Sequence, residues 1–226
     1  IGSDALRWFL VSSPVLKGGN LAVDQEGKEI AKAARVAQIP MWNAYYFFTL
    51  YANAEGYQAK EVSGSSEAID NYILSKLKRL SRIVKQGLDT YDVALSCNEV
   101  ASFMEILNNW YIRRTRDRFW SGDQQAFDVL YTVLVNLSKI MAPLMPFLCE
   151  YVYKNLTGGE SVHLADYPQL ENIKLDETLV DEMDFLQDLC SAGKFIREEK
   201  NLRNRLPLAG LTVVGDNLGF LNGQYQ

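Results

Sequence analysis

Histidine is almost missing from this 226-residue chain, with His163 the only one. The side chain that most often serves as general base and metal ligand is therefore nearly unavailable. The three cysteines, Cys97, Cys149 and Cys190, lie far apart with no C-x-x-C pair, so neither a disulfide framework nor a zinc site is supported. No G-x-S-x-G turn and no G-x-x-x-x-G-K-[ST] loop is present, which leaves the usual nucleophile and nucleotide cradle unrepresented. No catalytic residue, metal ligand or cofactor site is expected. No apolar run approaches the roughly 18 to 20 residues that span a bilayer, and Ile1-Gly2-Ser3-Asp4 lacks the basic-then-apolar start of a signal peptide. The expectation is a cytoplasmic protein with no membrane partner.

What is present is a chain that is 48% hydrophobic and 23% charged, enough apolar material for one or two cores. Its net charge of -5 does not point to nucleic acid, because phosphate contacts need concentrated Lys and Arg. The distribution differs from the average. Between Lys76 and Arg118, Lys76, Lys78, Arg79, Arg82, Lys85, Arg113, Arg114, Arg116 and Arg118 face only Asp89, Asp92, Glu99, Glu105 and Asp117, a local net of +4.

Helical periodicity dominates. A short helix is expected over 3–12, closed by Pro14 and Gly18-Gly19. A second segment runs from about 24 to 54, with Ile39, Trp42, Tyr46 and Leu50 at helical spacing and Pro40 expected to kink or split it. The clearest helix spans roughly 67–88. Its apolar line is Ile69, Ile73, Leu77, Leu80, Val84 and Leu88, with Lys78, Arg82 and Lys85 expected on the opposite, solvated side. A fourth helix is read over 91–119, and a fifth, apolar nearly all round, over 123–156 with bends at Pro143 and Pro146. A last helix over 178–204 has acid near its start and base near its end, matching the helix dipole. Ser161–Leu164 reads as an extended link and Leu211–Val214 as a lone strand.

The strongest local signal is Asn109-Trp110-Tyr111-Ile112-Arg113-Arg114-Thr115-Arg116-Asp117-Arg118-Phe119-Trp120. At 100° per residue, Arg114 and Arg118 continue the line of Leu107 and Tyr111. Either they pair with carboxylates of neighbouring helices, or the helix leaves the bundle and presents them to a partner. Guanidinium groups interleaved with flat rings suit RNA, through phosphate forks and base stacking.

At these residues the chain resembles the N-W-Y-I-R-R-[ST]-R-D-R-F-W stretch of isoleucyl-tRNA synthetases, in the branch shared by eukaryotes and some bacteria. Other segments resemble the same family in the same order: Gly2-Ser3-Asp4-Ala5-Leu6-Arg7, Trp42-Asn43-Ala44-Tyr45-Tyr46-Phe47-Phe48, Ala142-Pro143-Leu144-Met145-Pro146-Phe147 with Glu150, Ser161-Val162-His163-Leu164 and Arg205-Leu206-Pro207-Leu208. The resemblance extends to about Val214; valyl-tRNA synthetases are the runner-up.

The resemblance implies an all-α anticodon-binding helical bundle of the class I aminoacyl-tRNA synthetases. Residues 1–22 would be a remnant of the connection after a catalytic domain and 23–157 the bundle. Residues 158–210 would form a linker and C-terminal helix, and 211–226 the start of an incomplete C-terminal region. The family's ATP-binding motifs H-I-G-H and K-M-S-K-S are not in this sequence. ATP and Mg, with ligation of isoleucine to tRNA, would therefore belong to the catalytic domain of the same polypeptide. The implied partner is the anticodon arm of an isoleucine tRNA. In methionine-specific relatives a tryptophan soon after the Asn-x-Tyr helix meets the anticodon, and the similar positions here are Arg118 to Trp120. Candidate RNA contacts are thus Arg118, Trp120, Arg113, Arg116 and Trp110. Arg35, Gln38, Trp42 and Asn43 form a second group, although packing alone also suits Trp42 and Asn43. Lys78, Arg82 and Lys85 form a third. Arg114, one turn deeper, is expected in a structural ion pair. The rival reading is a helical module that docks on protein and meets no RNA.

Overall fold

A computed structural model describes residues 2–21, 23, 25–215 and 218–222. Among them the chain is helical with no strand, and it divides into two compact units, residues 1–175 and 176–226. Unit 1 carries α1 (Ser3–Ser12), α2 (Lys28–Ala33), α3 (Ile39–Glu55), α4 (Ala68–Asp89), α5 (Val93–Glu105), α6 (Arg113–Trp120), α7 (Gln124–Met141) and α8 (Pro146–Thr157). Two π-helical stretches interrupt this series, Ala34–Gln38 before α3 and Ile106–Ile112 between α5 and α6. Ser161–Leu164, expected to be extended, contains a 3₁₀ turn over Val162–Leu164.

The centre is α7. Phe127, Leu130, Val133, Leu134, Leu137 and Met141 have no exposure at all, as an apolar helix enclosed on every side requires. One face of it is polar, and that face organises a connection. Asp128, Thr132 and Asn136 stand four residues apart and so lie above one another. Asp128 accepts from the Tyr57 hydroxyl at 3.0 Å and the Lys60 amide at 2.9 Å, Thr132 Oγ1 accepts from the Val62 amide at 2.9 Å, and Asn136 donates to Glu61 at 2.8 Å. The link from α3 to α4 thereby satisfies backbone groups that burial would otherwise strand.

Proline acts differently at its two sites. Pro143 and Pro146 divide the long fifth segment into α7 and α8, with Pro146 in the first turn of α8, where its missing N–H costs nothing. Pro40 leaves the chain helical, because it follows a π turn. The wider turn displaces the carbonyl that a proline ring would strike in an α-helix.

α1 is bound to α8 by side chains from two of the sequence segments named above. Asp4, buried, accepts from the backbone N–H groups of Phe147 and Leu148 at 3.2 and 2.7 Å, and so caps the start of α8 from another helix. Arg7 donates two hydrogen bonds to the Pro143 carbonyl at 2.9 and 2.7 Å. Glu150 ties a further pair of segments, accepting from Ser161 Oγ at 2.9 Å and the Val162 amide at 2.8 Å.

Unit 2 is built on α9 (Glu177–Glu199), whose N-cap Asp176 accepts from the Leu179 amide. Arg197 donates to the carbonyls of Arg203, Asn204 and Leu206 and gathers the chain after the helix. Leu211–Val214, read as a strand, is irregular and largely exposed. An isolated strand has no ladder to join.

Candidate nucleic-acid interface

The rod formed by α5, the π stretch Ile106–Ile112 and α6 lies beside α3, and the two run in the same direction. Asn108 donates to the Pro40 carbonyl at 3.3 Å. One end further on, Trp120 Nε1 donates to the Tyr51 hydroxyl at 2.7 Å. Between them Arg116 holds its guanidinium 5.9 Å from both the Phe47 and Trp120 rings. The outer sides of these two rods form one strip that carries most of the candidate residues.

At the Asn108 end the strip opens into a groove of about 530 Å³. Arg35, Val36, Ile39 and Asn43 form one wall, and Ser102, Glu105, Asn108 and Asn109 the other. Both π stretches line it, as π turns commonly do at functional sites. A larger cleft, about 620 Å³, lies between residues 61–64 and 166–173, but Glu61 and Asp166 outnumber Lys139 there. Its charge disfavours a phosphate backbone.

Arg113, Arg116 and Trp120 are exposed on the strip, Trp120 by 56%. Arg35 and Asn43 are exposed at the groove, and Gln38 is half-buried on the π turn behind it. Trp42 is 42% exposed, yet its ring also rests on Tyr45 and Tyr151 at 5.7 and 5.8 Å between centroids. The helical line Ile39, Trp42, Tyr46 and Leu50 is the outer face of α3, while Met41, Ala44, Tyr45, Phe48 and Ala52 point inward. Both sides of this helix are apolar, so spacing alone could not choose between them.

Three expectations are corrected. Lys78 does not project to solvent: it is buried, and its ammonium donates to the carbonyls of Glu171 and Ile173. A segment more than ninety residues further along the chain crosses α4 there, so the helix is covered beyond its apolar line. Arg82 and Lys85 are exposed, Lys85 paired with Asp89 at 2.7 Å.

The structural ion pair expected of Arg114 is formed by Arg118. Arg118 forms a two-pronged bridge to the fully buried Asp70, 2.9 Å on each prong, and its Nε donates to Asp123 at 2.7 Å. Asp70 also accepts from the Tyr111 and Ser65 hydroxyls at 2.9 and 2.7 Å. Burial opposes the charge on Arg118, but the hydrogen bonds to Asp70 and Asp123 outweigh it and raise its pKa above the ordinary arginine value. Burial, then the charge of Asp70, pushes the Tyr111 phenol well up. Arg118 is thus the anchor of α6. Arg114 is exposed, with its guanidinium 4.6 Å over the Trp110 ring.

The π stretch takes both arginines off the expected buried line, and position along α6 separates them, since Arg118 is the one that reaches Asp70. A turn closed by i→i+5 bonds rotates each residue through a smaller angle than an α turn, so seven such residues delay the face by about one position. The buried line runs Leu107, Tyr111, Thr115, Phe119, not 107, 111, 114, 118. Trp110 is half-buried, and its indole N–H is a buried donor with no hydrogen-bond partner among the described residues. Asn109, Glu105 and Tyr51 were not among the candidate contacts. Asn109, one helical turn before Arg113, figured only as the first residue of the arginine-rich segment.

Residues 70–213 match the family described as the anticodon-binding domain of tRNA ligase. The chain is 46% identical over 226 residues to an isoleucine–tRNA ligase of Leifsonia xyli subsp. xyli, an alignment that takes in 97% of the chain and 20% of that relative. It is 47% identical over 223 residues to an isoleucine–tRNA ligase of Corynebacterium efficiens, with 97% and 21% covered. To that of Nocardia farcinica it is 45% identical over 212 residues, with 94% and 20% covered. The chain therefore spans about a fifth of the length of these curated relatives.

Proposed function

Because this chain belongs to the anticodon-binding domain family of tRNA ligases, we propose that it grips the anticodon arm of an isoleucine tRNA through the strip formed by α3 and α6. The observation that carries the proposal is the alignment of Arg113, Arg116 and Trp120 on one exposed rod, beside a groove walled by Arg35, Asn43 and Asn109. Guanidinium groups on the rod hold backbone phosphates, which position the arm. Trp120 offers a ring to a splayed base, and the amides of the groove offer donors and acceptors to base edges. Arg82 and Lys85 supply a further basic face on α4. Lys78 and Arg118 belong to the scaffold and contribute by holding α4 and α6 in place.

On this reading the polypeptide acts in the cytoplasm, where isoleucine is ligated to its tRNA in a catalytic domain that holds ATP and Mg. No helix among the described residues is long and apolar enough to cross a membrane.

Titrating the chain with an unmodified isoleucine anticodon stem-loop tests the proposal. Affinity should fall steeply between about 50 and 200 mM salt, because each neutralised phosphate releases counterions. The same loop with a foreign anticodon should bind more weakly. Binding that ignores salt, or ignores the anticodon, would sink the RNA assignment and favour an apolar protein contact.

A further inference from the structure

We propose that Arg114 is a displaceable cover on Trp110, occupying the place where an unpaired base of the RNA stacks. The inference rests on the RNA-binding reading and names one contact within it. Three features of the pair converge. The guanidinium of Arg114 lies 4.6 Å from the centre of the indole ring, within the range of ring separations that a stacked base would adopt on the same surface. Arg114 makes no hydrogen bond or ion pair among the described residues, so the ring is its only partner there. Trp110 sits within the π stretch and keeps a buried N–H with no acceptor among the described residues. Native structures rarely leave such a donor unsatisfied, so the indole calls for a partner beyond this chain, water or ligand.

The exchange has a favourable direction. A cation over an aromatic ring at an exposed site is held weakly, because water competes for the charge. A phosphate offers the same guanidinium two charge-assisted hydrogen bonds. Arg113, its neighbour on α6, faces solvent and extends the basic surface toward which a backbone would be drawn. When phosphate takes Arg114 from the ring, the indole face is released to a base. The free protein thereby keeps a large apolar ring covered until RNA arrives.

The test uses anticodon stem-loops carrying 2-aminopurine at single loop positions, whose fluorescence is quenched by stacking on an indole. The parent chain should quench at one loop position that Trp120→Leu leaves unaffected. Trp110→Leu, which refills the space without a ring, should abolish that quench and weaken binding about tenfold or more. Trp110→Phe should retain most of the affinity. Arg114→Ala should keep the quench, because the ring is free, while lowering the salt slope by about one phosphate. Melting curves accompany each variant. If Trp110→Leu and Arg114→Ala bind and quench as the parent does, the pair is structural packing and the proposal is overturned. If the parent binds no stem-loop at all, the RNA-binding reading itself fails and the cover fails with it.

Discussion

Two arginines four residues apart divide the work of α6. Arg118 lies against the fully buried Asp70 with two parallel bonds, and removing one partner of a buried pair leaves the other charge uncompensated. Arg118→Ala should lower unfolding free energy by about 3 to 5 kcal/mol in urea titrations, and Arg118→Lys should also destabilise, because an ammonium cannot reproduce the fork. Arg113→Ala and Arg116→Ala should melt with the parent and lose RNA affinity instead. Asp123 adds a pH signature. Burial alone would raise its pKa, but the bond from Arg118 and two backbone N–H groups lower it below the ordinary carboxylate value. The stabilisation it gives is therefore complete above about pH 4, the unfolded value, and is lost as pH falls through the lower folded value. Asp123→Asn should flatten the dependence of stability on pH in that acid window, measured by chemical denaturation at successive pH values. An unchanged profile would mean that another carboxylate governs acid unfolding.

Whole helices are fixed to one another at their ends. α8 begins with Pro146 and has no cap of its own side chain, so its first amides turn to Asp4 on α1. Asp4→Ala should cost about 1 to 2 kcal/mol, the range of an N-cap. Hydrogen exchange should show where: the Phe147 and Leu148 amides should exchange faster while those of α4 keep their protection. Equal acceleration across unit 1 would show that the two helices are not locally coupled. The crossing of α4 and α5 is equally specific. A Cβ added at Gly87 would stand 2.4 Å from Ser96 Oγ, so only glycine permits this approach. The long π stretch is the other feature at this scale, and it puts Thr115 and Phe119, not Arg114 and Arg118, on the buried line.

At the scale of the molecule, the motifs for nucleotide binding are missing from the sequence, so the chain should show no isoleucine-dependent ATP–pyrophosphate exchange; clear exchange by a pure preparation would defeat the domain assignment. The sequence by itself determined the helical class, the approximate extent of α1, α4 and α9, and the central place of α7. Those depend on local periodicity, capping residues and proline, which act over a turn or two. It also marked the arginine-rich end of α6 as the place to look, because residue types are legible without coordinates. Only the tertiary structure decided that Arg118 is an anchor and Arg114 is not, that Lys78 is covered by residues 171–173, and that Trp42 and Asn43 reach the surface. Each of those outcomes turns on a long-range partner or on a one-position change of helical phase. A segment more than ninety residues away leaves no trace in the local pattern of α4, and a π turn is spelled with the same residues as an α turn.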